Sequence, residues 1–287
     1  MAKKMKSSSS PVKKTESTTT TPKKTFTSPT PPSIPLGPRL SFGASEAYKL
    51  LRANLLFSAN AEERCQIIGI TSSVRGEGKS TTSMNLSYTF AEAGKRVLLV
   101  DGDMRLPQIA KILALSKMPG LSNYLAGMTK GKAPIQPSGL HNNLSVISSG
   151  DIPPNPSELL GSDTAVAAFK NLSEQFDYII IDLPPVNIVS DALVLSNICD
   201  GYLIVVRQDY TSRRELTDCV DQMQYVKAKL LGFVMTHSTV SEKGKYRGKR
   251  YYNRYGNSRY GYKRREGYYG AGYGSGYGHT PADTGTK

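Results

Sequence analysis

Residues 67–81, IIGITSSVRGEGKST, constrain the fold of this chain more than any other stretch. Ile67, Ile68 and Ile70 form a short apolar run that reads as a buried strand. A turn rich in Ser and Gly follows, then Lys79-Ser80-Thr81, then a helical pattern over residues 82–93. Strand, small-residue loop and helix N-terminus in that order form a phosphate cradle. Backbone N–H groups point inward, the helix dipole favours an anion, and a lysine reaches the terminal phosphates. Ser80 is placed to hold Mg2+ beside them. The expected nucleotide loop is therefore Ser73, Val74, Arg75, Gly76, Glu77, Gly78, Lys79, Ser80 and Thr81. The full pattern asks for glycine where this chain has Ser73, and a small residue there still permits the turn. A chance Gly-Lys turn is the alternative. The strand before it and the helix after it count against chance.

The net charge of +14 over 287 residues is unevenly spread. Residues 1–40 carry eight Lys/Arg and one Glu, and residues 240–287 carry eleven Lys/Arg and three acidic residues. By subtraction, residues 41–239 hold 18 basic and 19 acidic side chains, so the centre is near neutral and the excess belongs to the two ends. Residues 1–40 are mostly Lys, Ser, Thr and Pro, too little apolar material to offset ordering entropy, and are expected to be a disordered, extended linker. Cys65, Cys199 and Cys219 are odd in number and lack paired metal spacing, which fits buried thiols in a reducing cytoplasm. No apolar run approaches the ~18–20 residues of a membrane span, and no apolar leader follows Met1.

Residues 46–58 read as a helix capped by Ser45, with a broad apolar face at Leu50, Leu51, Asn54, Leu55 and Phe57. Glu46, Lys49 and Arg52 recur every three residues and form a charged ridge along one side, which by itself would be a solvated face. Residues 97–101 read as a second buried strand, ending in Asp101-Gly102-Asp103-Met104-Arg105. Paired carboxylates just past a strand's carboxyl end sit where open α/β sheets bind ligands. Residues 120–125 suggest a short helix, 127–142 a loop and 144–147 a strand. Pro156 suggests a helix start, and residues 166–176 continue helical. Residues 177–182 form a third buried strand ending in Asp182, a position suited to ordering Mg2+ through water. Asp191 opens another helix. Residues 201–207 and 230–235 read as strands, with a helix over 213–227 between them. This alternation predicts an α/β P-loop NTPase fold, a mostly parallel sheet with helices on both faces. From Lys243 the pattern changes. Tyr246, Tyr251, Tyr252, Tyr255, Tyr260, Tyr262, Tyr268, Tyr269, Tyr273 and Tyr277 hold ten of the seventeen tyrosines, among Gly, Lys, Arg and Asn. No period fits, so a flexible tail is expected. Three segments follow: a tail over 1–40, a nucleotide-binding domain over 41–239, and a basic tyrosine-rich tail over 240–287.

Taken together, these motifs resemble the bacterial tyrosine kinases of polysaccharide export, P-loop proteins unrelated in fold to eukaryotic protein kinases. The resemblance covers residues 41–287. It rests on Lys79 and Ser80, on a D-x-D-x-R motif at Asp101, Asp103 and Arg105, on D-x-P-P at residues 182–185, and on P-P-N-P-x-E-L-L at 153–160. Glu46, Lys49 and Arg52 resemble the family's E-x-x-R-x-x-R subunit-contact motif of ring-shaped oligomers. Here the first Arg is Lys49, which loses bidentate pairing. Val74 stands where the related partitioning ATPases carry a signature lysine, which favours the kinase branch. The resemblance implies ATP and Mg2+ as cofactors and transfer to the tail tyrosines of a neighbouring subunit. It also implies a homo-oligomer, a separate transmembrane modulator that recruits the kinase to the inner membrane face, protein tyrosine substrates and a cognate tyrosine phosphatase. Lys79 and the loop amides are assigned to the phosphates, Ser80 and Asp103 to Mg2+, and Asp182 to its waters. Asp101 would orient the tyrosine hydroxyl. Arg105 would either stabilise charge or pair with a carboxylate. The rival is a partitioning-type ATPase whose basic tails hold nucleic acid. Stacking would accept Phe, whereas a phosphoacceptor requires the hydroxyl, and the tail has tyrosine alone.

Overall fold

A computed structural model describes residues 34–58 and 64–238. The elements in chain order are α1 (Phe42–Ser58), β1 (Gln66–Ser72), α2 (Lys79–Glu92), β2 (Val97–Asp101), α3 (Ile109–Ile112), α4 (Leu121–Leu125), β3 (Gln136–Pro137) and β4 (Leu144–Ile147). They continue with α5 (Pro156–Leu160), α6 (Asp163–Ser173), β5 (Tyr178–Asp182), α7 (Asp191–Val194), β6 (Gly201–Arg207), α8 (Arg213–Tyr225) and β7 (Leu230–Thr236). Seven strands form one sheet in the order β3-β4-β2-β5-β1-β6-β7. Every pairing is parallel except the two-residue β3, which runs antiparallel to β4 at the edge. Pro137 is tolerated there because an edge strand can lack one donor.

The apolar runs of β1, β2 and β5 are buried throughout because both sheet faces are covered. Alternate residues feed two cores. Leu98, Val100, Ile179, Ile181 and Ile204 point into one, with Phe169, Leu172, Leu195 and Met223 from the helices. Ile68, Ile70, Leu99, Ile180 and Val205 point into the other, with Met84, Leu86 and Phe90 of α2. The result is the three-layer arrangement expected from the alternating pattern. Among the described residues no helix is long and apolar enough to cross a membrane.

Several local expectations change. Residues 34–40, read as part of the linker, are packed: Leu36 is fully buried, and the Gly37 N–H donates to Asn85 Oδ1 at 2.9 Å. The helix read as starting at Glu46 starts at Phe42. Its cap is Ser41, whose hydroxyl accepts from the Ala44 N–H, and not Ser45. Its apolar face is only partly used, since Leu55 is buried while Leu50 and Phe57 are exposed. Residues 156–173 form two helices rather than one. Ser162 accepts from the Ala165 N–H and restarts the chain as α6. All three cysteines are free and buried, and burial pushes the Cys65 and Cys199 thiols up to about 12 and Cys219 to about 11. The rest of the linker and the whole tyrosine-rich tail lie outside the described residues.

Candidate active site

The phosphate loop leaves β1 at the carboxyl edge of the sheet, and α2 begins at Lys79, three residues earlier than its apolar pattern suggests. Gly76 (φ 80°) and Gly78 (φ 93°) occupy left-handed backbone, where a side chain would strain the turn. Ser73 does not, so its departure from glycine carries no such strain. The loop is held from several sides. Ser72 Oγ donates to the Val74 carbonyl at 2.7 Å. Glu77, fully buried, accepts from the Val74 N–H at 2.8 Å and from the Thr211 hydroxyl. The Glu77 carbonyl accepts from Thr236 Oγ1 at 2.7 Å, and the Gly76 carbonyl from the Arg207 guanidinium at 3.2 Å.

Beside this loop stand the three predicted carboxylates. Parallel register pairs Asp101 at the end of β2 with Asp182 at the end of β5. Gly102 lets the chain turn tightly over β5. Its N–H donates to the Asp182 carbonyl at 2.9 Å, and a Cβ there would lie 3.0 Å from that oxygen. Asp101 and Asp182 are shielded from solvent, while Asp103 keeps exposed surface. Burial, and then the neighbouring Asp182, hold the Asp101 carboxyl well above the usual carboxylate range, against a hydrogen bond from the Ile109 N–H. Its other oxygen, Oδ1, has no partner. Burial also raises Asp182, opposed by the Lys79 charge and by the Ser80 and Ser83 hydroxyls. Ser83 Oγ lies 3.0 Å from Asp182 Oδ1.

Arg105 resolves toward pairing. It meets the fully buried Asp191 with Nε–Oδ2 at 3.0 Å and Nη2–Oδ1 at 3.1 Å, a two-point contact. Ser157 of α5 bonds the same carboxylate, so the turn after β2 is tied to α5 and α7. The predicted charged ridge also divides. Lys49 pairs with Glu46 at 3.1 Å, whereas the Arg52 guanidinium donates to the Thr89 carbonyl of α2. The ten tail tyrosines lie outside the described residues.

Sequence reasoning did not assign Ser83, Asp191, Thr211 or Thr236. Ser83 had a weak signal, one helical turn after Lys79. The others come from remote strand and helix ends. Asp191 after Ser190 reads as an ordinary solvated helix start, and nothing local distinguishes it from one.

The donor set suits a magnesium nucleotide. Among the described residues no group of three or more His, Cys, Asp and Glu forms a cage for a metal. Mg2+ commonly takes one or two protein oxygens and completes its shell with water and phosphate.

An AAA domain family profile matches residues 65–233. Tyrosine-protein kinase YwqD of Bacillus subtilis is 35% identical over 202 residues, covering 70% of this chain and 84% of that protein. Tyrosine-protein kinase CpsD of Streptococcus pneumoniae serotype 4 is 34% identical over 199 residues, covering 69% and 86%. Among solved structures, the chimerical protein CapA2B2 superposes with a TM-score of 0.63 at 36% identity, covering 66% of this chain and 83% of that one. The kinase domain of the Escherichia coli tyrosine kinase ETK gives 0.62 at 29% identity, covering 71% and 80%. Most of the length of these kinases is thus shared, and the chain belongs to the bacterial tyrosine-protein kinases of the P-loop type.

Proposed function

We propose that this kinase uses ATP and Mg2+ to phosphorylate protein tyrosines, chiefly those at 246–277 on a neighbouring copy, and so regulates polysaccharide synthesis or export. The observation that carries the reading is the convergence of the Gly78-Lys79-Ser80 helix start with Asp101, Asp103 and Asp182 at adjacent strand ends. Bound ATP would supply the phosphoryl group. The loop amides and Lys79 would hold the β- and γ-phosphates, with fixed dipoles suited to charge that redistributes during transfer. Ser80 and Asp103 would hold Mg2+, and Asp182 would order its waters. The tyrosine hydroxyl must be oriented and must lose its proton. Asp101 is given that role for its place at the end of β2, in register with Asp182. Asp101 is buried, whereas Asp103 keeps exposed surface. Arg105 acts through Asp191 to hold the turn after β2 in place, rather than at the phosphates.

The basic tail, with eleven Lys/Arg against three acidic residues, suits approach to a site lined by carboxylates. A homo-oligomer contacting through Glu46, Lys49 and Arg52, a separate transmembrane modulator that holds the kinase at the membrane, and a cognate phosphatase complete the proposal. Its test is the purified full chain with ATP and Mg2+, with and without the modulator's cytoplasmic segment, followed by phosphosite mass spectrometry. Phosphotyrosine in the tail is expected, and none with Lys79→Met alone. Lys79→Met mixed with an active, tail-deleted copy is expected to regain it, which identifies transfer between copies. No phosphotyrosine under any condition overturns the reading, and a salt-sensitive DNA shift in its place favours the partitioning rival.

A further inference from the structure

Glu77 poses an electrostatic problem. It is a fully buried carboxylate inside a loop read as an anion cradle. A buried charge is costly unless its lone pairs are satisfied, and a negative one close to phosphates opposes their binding unless it faces away. Its partners show how this is met. One oxygen takes the Val74 N–H at 2.8 Å, and the other takes the Thr211 hydroxyl. Thr211 Oγ1 itself accepts from the Arg207 N–H at 3.1 Å. A hydroxyl carries one proton, so the Arg207 bond leaves that proton committed to Glu77. Thr211 directly precedes Ser212, the cap of α8, which shares a reciprocal capping box with Glu215. The anchor is therefore fixed to a regular helix. Thr236, at the end of the neighbouring strand β7, holds the Glu77 main chain in the same way.

We propose that Thr211 is a positioning residue for nucleotide binding. Its hydroxyl anchors the Glu77 carboxylate, and through Glu77 it fixes the Val74 amide and the path of residues 74–77. Thr211 does not itself touch the nucleotide. The inference rests on the reading of this loop as an ATP site.

The test compares wild type, Thr211→Val and Thr211→Ser as full chains. Valine keeps the shape and removes the proton, and serine restores it. A fluorescent ATP analogue with Mg2+ is titrated, and initial rates are measured against ATP with a tyrosine peptide. Thr211→Val is expected to weaken analogue binding about tenfold, about 1.4 kcal/mol. It should raise KM for ATP by a similar factor while kcat stays within about twofold. Thr211→Ser should return both to within about twofold of wild type. If the valine variant does not fold, Thr211→Cys, a weak donor of similar size, should weaken analogue binding about threefold. Binding of the valine variant within twofold of wild type, serine as weak as valine, full affinity in the cysteine variant, or a loss confined to kcat overturns the proposal. Failure of wild type itself to bind the analogue overturns the ATP reading as well.

Discussion

At the scale of single residues, the site is shaped by carboxylates that differ in what surrounds them. Asp191 has no exposed side-chain surface and depends on Arg105, which is 38% exposed. Removing one partner of a buried pair costs roughly 3–5 kcal/mol, and solvent around Arg105 lowers that here to about 2 kcal/mol. Arg105→Ala should therefore move the urea midpoint down clearly, with Asp191→Asn affected less because the charge it leaves unpaired, on Arg105, reaches solvent. An unchanged midpoint in Arg105→Ala would show that the pair contributes nothing to stability. The cysteines give a second residue-scale prediction. Their folded thiols sit at about 11 to 12, above the ordinary value of 9.0. A raised folded value means the unfolded chain loses its proton first. The contribution is intact below about pH 9 and is lost progressively toward pH 11–12. Native protein at pH 8 should leave all three thiols unreactive toward an aromatic disulfide reagent until denaturant is added. Rapid labelling of the native fold would contradict their burial.

At the scale of elements, the sequence was most readable where one physical cause acts locally. The buried strands β1, β2 and β5 announce themselves through continuous Ile, Leu and Val, because a strand covered on both faces has no polar side to show. The phosphate loop and Asp101, Asp103 and Asp182 were likewise visible, since each follows such a strand within a few residues. Contacts made between distant ends were not. Arg105 and Asp191 are 86 residues apart, and Thr211 and Glu77 134 apart, so no local pattern ties them. The start of α1 was misplaced for a different reason. Ser41 and Ser45 are equally good caps by composition, and burial of the preceding Leu36–Gly37 segment against α2 selects the earlier one. Ser41→Ala is expected to cost about 0.5–1 kcal/mol and Ser45→Ala only a few tenths. Chemical denaturation of the two variants measures the difference. A larger loss at Ser45 would reverse the assignment of the cap.

At the scale of the whole molecule, charge is segregated. Residues 41–239 are near neutral, while residues 240–287 carry a formal +8. Each phosphotyrosine would add about −1.5 to −2 charges, so roughly four to five would neutralise the tail and more would reverse its sign. Under the proposed function, an unmodified tail is drawn to a neighbour's carboxylate-lined site, and a heavily modified one is repelled from it. The same chemistry that uses the tail as substrate would then end the association, which makes assembly a function of turnover. This predicts that full-length protein with ATP and Mg2+ shifts to smaller particles as phosphate accumulates, followed by light scattering together with intact mass. Replacing all ten tail tyrosines with phenylalanine removes the hydroxyls but keeps the rings and the positive charge. That variant should stay assembled with ATP present, and so should Lys79→Met. Screening bears on the same point, because a charge-driven association weakens as the Debye length falls from about 10 Å at 0.1 M salt to about 3 Å at 1 M. Wild type without ATP should therefore dissociate in high salt. If the phenylalanine variant dissociates with ATP as wild type does, nucleotide binding and not tail charge controls the oligomer.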